Sequence, residues 1–379
     1  MGALDDLKIL DFTTLLPGPY ATLMLADMGA QVLKITSRTR KDLVEDWPPQ
    51  IEGTKTTATW AWLNRNKETM WLNLKEPKAV EAVEKLVQEY DIVVEQFRPG
   101  VMDRLHLGYE DLKKINPKLI YCSLTGYGQT GPLAHRAGHD INYLARSGIA
   151  SASGRKSSGP ALYNFQIGDV ASGAMNLAVS LLSAVHYRDR TGQGQAVDVS
   201  MTDGLIPFNS MDGACYLAGA AQPEREAQTL NGGTFYDFYE TKDGRYMSVG
   251  SLEPKFFKRL CETMGHPEWD RQNVKAGLKT EFLKKTQAEW IEIFRDADAC
   301  VEPVLDLREA SQDEQTNARG MWPNVPIPET GKTIRQMGCP IRLSKCPPAY
   351  RHAGYPAGTQ TEKILRSLGY TEAEIEKMI

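Results

Sequence analysis

The spacing of apolar positions along the first half of the chain alternates between two periods. Residues 7–13, Leu-Lys-Ile-Leu-Asp-Phe-Thr, form an apolar run of strand length, and Pro17-Gly18-Pro19 breaks it. A helical pattern over 20–28 closes at Gly29, and 31–35 reads as the next strand. The unit repeats: 71–74 is extended, 77–90 helical, 91–97 an apolar strand, 109–114 a short helix and 119–124 a strand. Such alternation predicts a doubly wound α/β domain on a parallel sheet, with ligands at the carboxyl ends of the strands. A helix opening at Asp169 and running to 187, a strand over 195–200 and a helix over 201–217 continue the pattern.

Beyond this the pattern changes. Residues 218–228 are small and polar, as expected of a domain crossing. Segments 235–241 and 245–251 flank Lys242-Asp243-Gly244, a hairpin signal. Helices over 254–264 and 286–295 and a strand near 301–305 complete a small α+β domain. After Pro323 the chain is rich in Pro and Gly until helical patterns at 361–368 and 372–378. The expected division is a large domain over 1–220, a small domain over 221–325 and a C-terminal segment over 326–379.

Composition narrows the function classes. With 379 residues the chain suits one large and one smaller core. A formal charge of −4 gives no global attraction to nucleic acid or to acidic membranes, so any site for an anionic ligand must be local. The most apolar helix pattern, 175–186, is too short to span a bilayer. Six scattered cysteines without a Cys-x-x-Cys pair fit a reduced, cytoplasmic protein. Gly126-Tyr-Gly128-Gln-Thr-Gly131 matches the dinucleotide fingerprint formally. Pro132 and a polar turn follow its third glycine where a helix should start, so we read it as a tight turn and expect no dinucleotide.

Two constellations could carry chemistry. The first lies in 137–174, where Gly138-His139-Asp140 and Gly168-Asp169-Val170 each set a titratable residue after a glycine at a helix start, joined by a Gly/Ser-rich connection over 151–159. The helix dipole favours a neutral ring at His139, as a general base requires. Asp140 reads as an N-cap. Asp169 would share that reading but for the small residues 171–174, which leave room for a substrate, and for the backbone N–H groups beside it, which could receive an oxyanion. A His–Asp pair suits proton shuttling at carbon; Asp169 alone suits covalent acyl transfer. The second constellation is basic: Lys34, Arg38, Arg65, Lys67 and Arg98 fall at or near predicted strand ends and would suit a phosphate-bearing ligand. No metal-ligand spacing is present.

The segments Leu-Pro17-Gly-Pro, Asn64-Arg-Asn-Lys67, Phe97-Arg-Pro-Gly100, Gly126 to Pro132 and Thr191-Gly-Gln-Gly together resemble the family III CoA-transferases, the carnitine-CoA-transferase-like superfamily. Gly138-His-Asp-Ile-Asn-Tyr143 is similar to its alpha-methylacyl-CoA racemase branch. The resemblance implies a large Rossmann-like domain with a small domain, an interlocked homodimer, a C-terminal segment that returns to the large domain, and an acyl-CoA thioester substrate with no further cofactor. It implies His139 and Asp169 as the two catalytic bases and Glu253 as a supporting residue from the small domain. Lys34, Arg38, Arg65, Lys67 and Arg98 would bind the CoA nucleotide and phosphates. The expected reaction is epimerisation of a 2-methyl-branched acyl-CoA; the alternative is CoA transfer between acids through Asp169.

Overall fold

The structure, a computed structural model, describes residues 2–379. Its contacts define two units. The large unit comprises the residues up to Ser147, Phe165–Ile206 and Gln315–Ile379; the small one comprises Gly148–Asn164 and Pro207–Glu314. The boundaries differ from those expected at 220 and 325, because the chain leaves the large unit at Ile206 and returns at Gln315. The connection 148–164 also joins the small unit. The helix expected over 201–217 is broken into Met201–Leu205, a 3₁₀ turn over Ile206–Asn209, and Ser210–Leu217. Pro207 explains the break, since it lacks an N–H and its ring clashes with the carbonyl one turn back.

The large unit is built on six parallel strands: β1 (Lys8–Asp11), β2 (Gln31–Thr36), β3 (Glu68–Trp71), β4 (Ile92–Glu95), β5 (Ile120–Thr125) and β6 (Gln195–Ser200). Their order is β3-β2-β1-β4-β5-β6. Strands β4 and β5 are buried along their whole length, as mostly apolar strands covered on both faces must be. The order reverses direction between β1 and β4, and the carboxyl ends of those neighbours form the crevice in which such sheets bind ligands. Helix α1 (Pro17–Asp27) starts on a proline whose missing N–H costs nothing there, and nearly all of it is buried.

The helix expected to start at Asp169 begins as a π-helix, Gly168–Ala174, and continues as the α-helix Met175–Thr191. The combined helix Gly168–Thr191 is long and apolar enough to cross a membrane by length and composition, unlike the shorter 175–186 stretch. Half of the most apolar stretch is buried, with Ala174, Leu177 and Leu181 in the protein interior. The last sixty-odd positions return to the large unit, where Thr361–Ser367 and Glu372–Met378 pack into the core that includes Val83, Leu86 and Val93.

The small unit has a three-stranded antiparallel sheet, with the hairpin of β7 (Asp237–Glu240) and β8 (Tyr246–Val249) and then β9 (Val301–Pro303). Its core joins Tyr239 and Met247 to apolar faces of the helices Pro254–Thr263, Val274–Phe282 and Gln287–Phe294.

Candidate active site

A cavity of about 420 Å³ opens at the switch point of the sheet. Leu15 and Pro17 after β1 and Gln96, Phe97, Arg98 and Pro99 after β4 form one side. Leu124 to Gly126 at the end of β5 and Met201 after β6 form the floor. His139, Asn142, Tyr143 and Asp169 complete the wall. All belong to the large unit.

The cavity thus brings His139 and Asp169 together. His139 is the N-cap of the helix Asp140–Arg146, with extended backbone, and its N–H donates to Asn142 Oδ1 at 3.0 Å. The ring is exposed. Tyr143, one turn on, donates its hydroxyl to the carbonyl of Gly138 at 2.6 Å and fixes the approach to His139. A Cβ on Gly126 or on Gly138 would meet the Tyr143 ring at 2.4 and 2.7 Å, so close packing of this ring accounts for both glycines. Asp169 lies in the first turn of the π-helix, a distortion that recurs at functional sites. Burial, followed by the charge of Asp140, raises its carboxyl to about 7.

Two expectations around Asp169 change. Its own N–H donates to Asp140 Oδ1 at 3.0 Å, and that of Val170 donates to the Gln166 carbonyl at 2.9 Å, so neither is free for an oxyanion. The small residues 171–174 serve helix packing. Ser172 Oγ donates to the Met201 carbonyl at 2.6 Å, and a Cβ on Gly204 would come within 2.3 Å of Ser172 Oγ.

The basic constellation divides. Arg98 is exposed at the cavity, and Arg136, which the sequence reading passed over, lines it as well. Arg38 is exposed with its guanidinium 4.9 Å from the centre of the Trp71 ring. Lys34, Arg65 and Lys67 are buried and already matched, contrary to a phosphate-binding rim. Lys34 lies within β2, not beyond it; its Nζ stands 4.0 Å from Asp11 and 3.8 Å from Asp42 and donates to the Thr13 carbonyl. Lys67 Nζ stands 3.3 Å from Asp11 and donates to Thr22 Oγ1 at 2.7 Å. Burial lowers Lys67 to about 8 against the opposing pull of Asp11. Burial alone would raise the Asp11 carboxyl, but Lys34 and Lys67 and the hydroxyls of Thr13 and Thr22 hold it well below the usual carboxylate range.

This cluster shapes the cavity indirectly. Asp42 accepts the N–H of Leu15 at 3.0 Å and supports that residue in a left-handed conformation (φ 61°) on the cavity wall. Arg65 forms a bidentate pair with Asp27 at 3.0 and 2.6 Å, stacks 4.8 Å from the Tyr350 ring and donates to the carbonyl of Met337 at 2.9 Å. Asn66 bonds the Ala349 carbonyl and the Arg351 N–H. Asn64-Arg-Asn-Lys67 is therefore the anchor for the returning C-terminal segment. Glu253 is exposed on the small unit as the N-cap of Pro254–Thr263 and is not part of the cavity wall. Among the described residues no three His, Cys, Asp or Glu side chains stand together as a metal site.

A sheet in the order 3-2-1-4-5-6 with titratable groups in a cavity at its switch point defines a Rossmann-like α/β protein of the ligand-binding kind. The chain belongs to CoA-transferase family III, whose model matches residues 4–361. It is 32% identical to alpha-methylacyl-CoA racemase of Homo sapiens, over 99% of this chain and 96% of that protein. It is also 32% identical to acetyl-CoA:oxalate CoA-transferase of Acetobacter aceti, over 96% of this chain and 95% of that protein. A CAIB/BAIF family protein from Brucella suis superposes with a TM-score of 0.84 at 26% identity, covering 97% of this chain and 99% of that one. The racemase and this transferase are thus equally similar to the chain.

Proposed function

We propose that the protein epimerises 2-methyl-branched acyl-CoA thioesters by two-base proton transfer. The observation that carries this reading is the presence of His139 and Asp169 on one cavity wall, with the Asp169 carboxyl raised to about 7. Near neutral pH Asp169 is then present in both protonation states. Ionised, it removes the α-hydrogen of one enantiomer; protonated, it returns a proton to the enolate that His139 forms from the other. The thioester carbonyl takes the electron pair in the enolate, and the C–H bond broken on one face is re-formed on the other. Arg98 and Arg136 supply positive charge at the cavity for the phosphates of CoA. The reading includes a homodimer, supported by large exposed apolar side chains on the small unit such as Met211 and Leu217.

The equal standing of transferase relatives favours a second reading. Ionised Asp169 would attack the donor thioester and pass through anhydride and enzyme-thioester intermediates, with His139 only lining the pocket. One experiment separates them: incubation with a 2-methylacyl-CoA in D2O, following deuterium and stereochemistry at the α-carbon. Incorporation with loss of stereochemical purity, abolished in His139→Ala, supports epimerisation. No exchange, together with CoA appearing on an added free acid, would replace it with transfer.

A further inference from the structure

Asp140 begins the helix that follows His139, yet its carboxylate turns to another element. It accepts the N–H of Asp169 at 3.0 Å, so it caps the π-helix that carries Asp169. Gly168 makes the approach possible, because a Cβ there would stand 2.8 Å from Asp140 Oδ1 and 3.3 Å from Leu205 Cδ1. The two chemically active residues are thereby tied through a single side chain, one bond in sequence from His139 and one hydrogen bond from Asp169.

We infer that Asp140 is a positioning residue that couples the two helix starts and holds its carboxylate beside Asp169. This rests on Asp169 as a reacting group, the part of the proposed function shared by epimerisation and CoA transfer. The carboxylate pair supplies the direction: like charges at close range disfavour the second ionisation. Burial raises the Asp140 carboxyl as well, while the N–H groups of Asp169 and Gly168 draw it down.

The other titratable groups around Asp169 come from the cavity wall and from the elements packed on its helix. The helix Asp140–Arg146 also brings Tyr143, whose phenol burial and Asp169 push up, and carries Arg146 in its last turn. The cavity adds His139, Arg98 and Arg136. Helix Met201–Leu205, packed on the π-helix, bears only Asp203, which is exposed. Helix α1 bears Tyr20 and Asp27, the latter paired with Arg65. Strand β6 bears Asp198, which accepts the N–H of Gln129. The helix Met175–Thr191 keeps its titratable groups, His186 onward, in its last turns.

The test uses the full-length protein labelled with ¹³C at aspartate carboxyls, the Asp169 signal being assigned by its loss in Asp169→Asn. Asp140→Asn retains an acceptor oxygen and removes the charge; Asp140→Ala removes both. In Asp140→Asn the Asp169 titration should fall by about one pH unit, and the acid limb of the turnover profile should move with it. Asp140→Ala should lower kcat by roughly tenfold or more with KM little changed, because the carboxylate loses its fixed placement. An unchanged Asp169 midpoint in Asp140→Asn overturns the inference, whatever Asp140→Ala does to the fold. A shifted midpoint in a protein that catalyses neither reaction would sustain the coupling and sink the proposed function.

Discussion

Lys34, Arg65 and Lys67 carry the same charge as Arg98 and Arg136. In the folded chain the first three are buried against Asp11, Asp42 and Asp27, while the other two are exposed at the cavity. A parallel sheet covered on both faces has no water to solvate an ion, so a cation inside it must bring its own partners. A cation at the carboxyl ends of the strands keeps its charge available for a ligand. These basic positions therefore divide into buried scaffold and exposed cavity lining, and depth is the variable that divides them.

Substitutions should break that comparison in order of size. Asp169→Asn should reduce either reaction by on the order of 10³-fold or more without unfolding the protein, measured as turnover beside urea denaturation. Arg65→Ala leaves Asp27 buried and unpaired and should cost about 3–5 kcal/mol, read as a fall in the urea midpoint. If Arg65→Ala instead raised KM for the acyl-CoA with stability unchanged, the assignment of this residue to the scaffold would be wrong. Arg98→Ala is the mirror case: KM should rise roughly tenfold, consistent with loss of one charge-assisted contact, while the midpoint stays put.

The smallest effect concerns stability and pH. Asp169 has its carboxyl raised from 3.8 to about 7 in the folded protein. The folded state then holds its proton more tightly than the unfolded chain, so this residue destabilises progressively as pH rises from 4 towards 7 and fully above it. Asp169→Asn should therefore be more stable than the parent at pH 8, by on the order of 1–2 kcal/mol after solvent screening, with the gain vanishing near pH 4. Equal stability of the two proteins at pH 8 would remove the burial argument for this carboxyl.

The alternation of apolar runs was sufficient for the sheet, because strands such as β5 are mostly apolar and buried along their whole length and helices such as Pro77–Val87 bury one face. His139 and Asp169 were legible because each stands after a glycine at a helix start. Asp140 was not, since an N-cap aspartate is equally expected to serve its own helix, and only the fold shows which N–H groups it meets. Arg136 lies in the polar turn after Gly131, where no periodic pattern distinguishes it. The burial of Lys34 and Lys67 was hidden for the converse reason: their partners are Asp11, Asp42 and Thr22, on other elements and unremarkable in the sequence. A lysine within β2 reads as exposed until the neighbouring carboxylates are placed around it.

The edge of the sheet at β3 is closed by the far end of the chain. The N–H of Thr69 donates to Gln360 Oε1 at 2.8 Å, that of Trp71 donates to Thr361 Oγ1 at 3.0 Å, and the N–H of Gln360 returns to the Thr69 carbonyl at 3.0 Å. During synthesis this edge must wait for some three hundred further residues to emerge, with its backbone groups open to any other strand. A ribosome stalled before residue 360 would thus release a protein that has its cavity-forming residues but an unsealed sheet, a natural substrate for chaperones and for edge-to-edge aggregation.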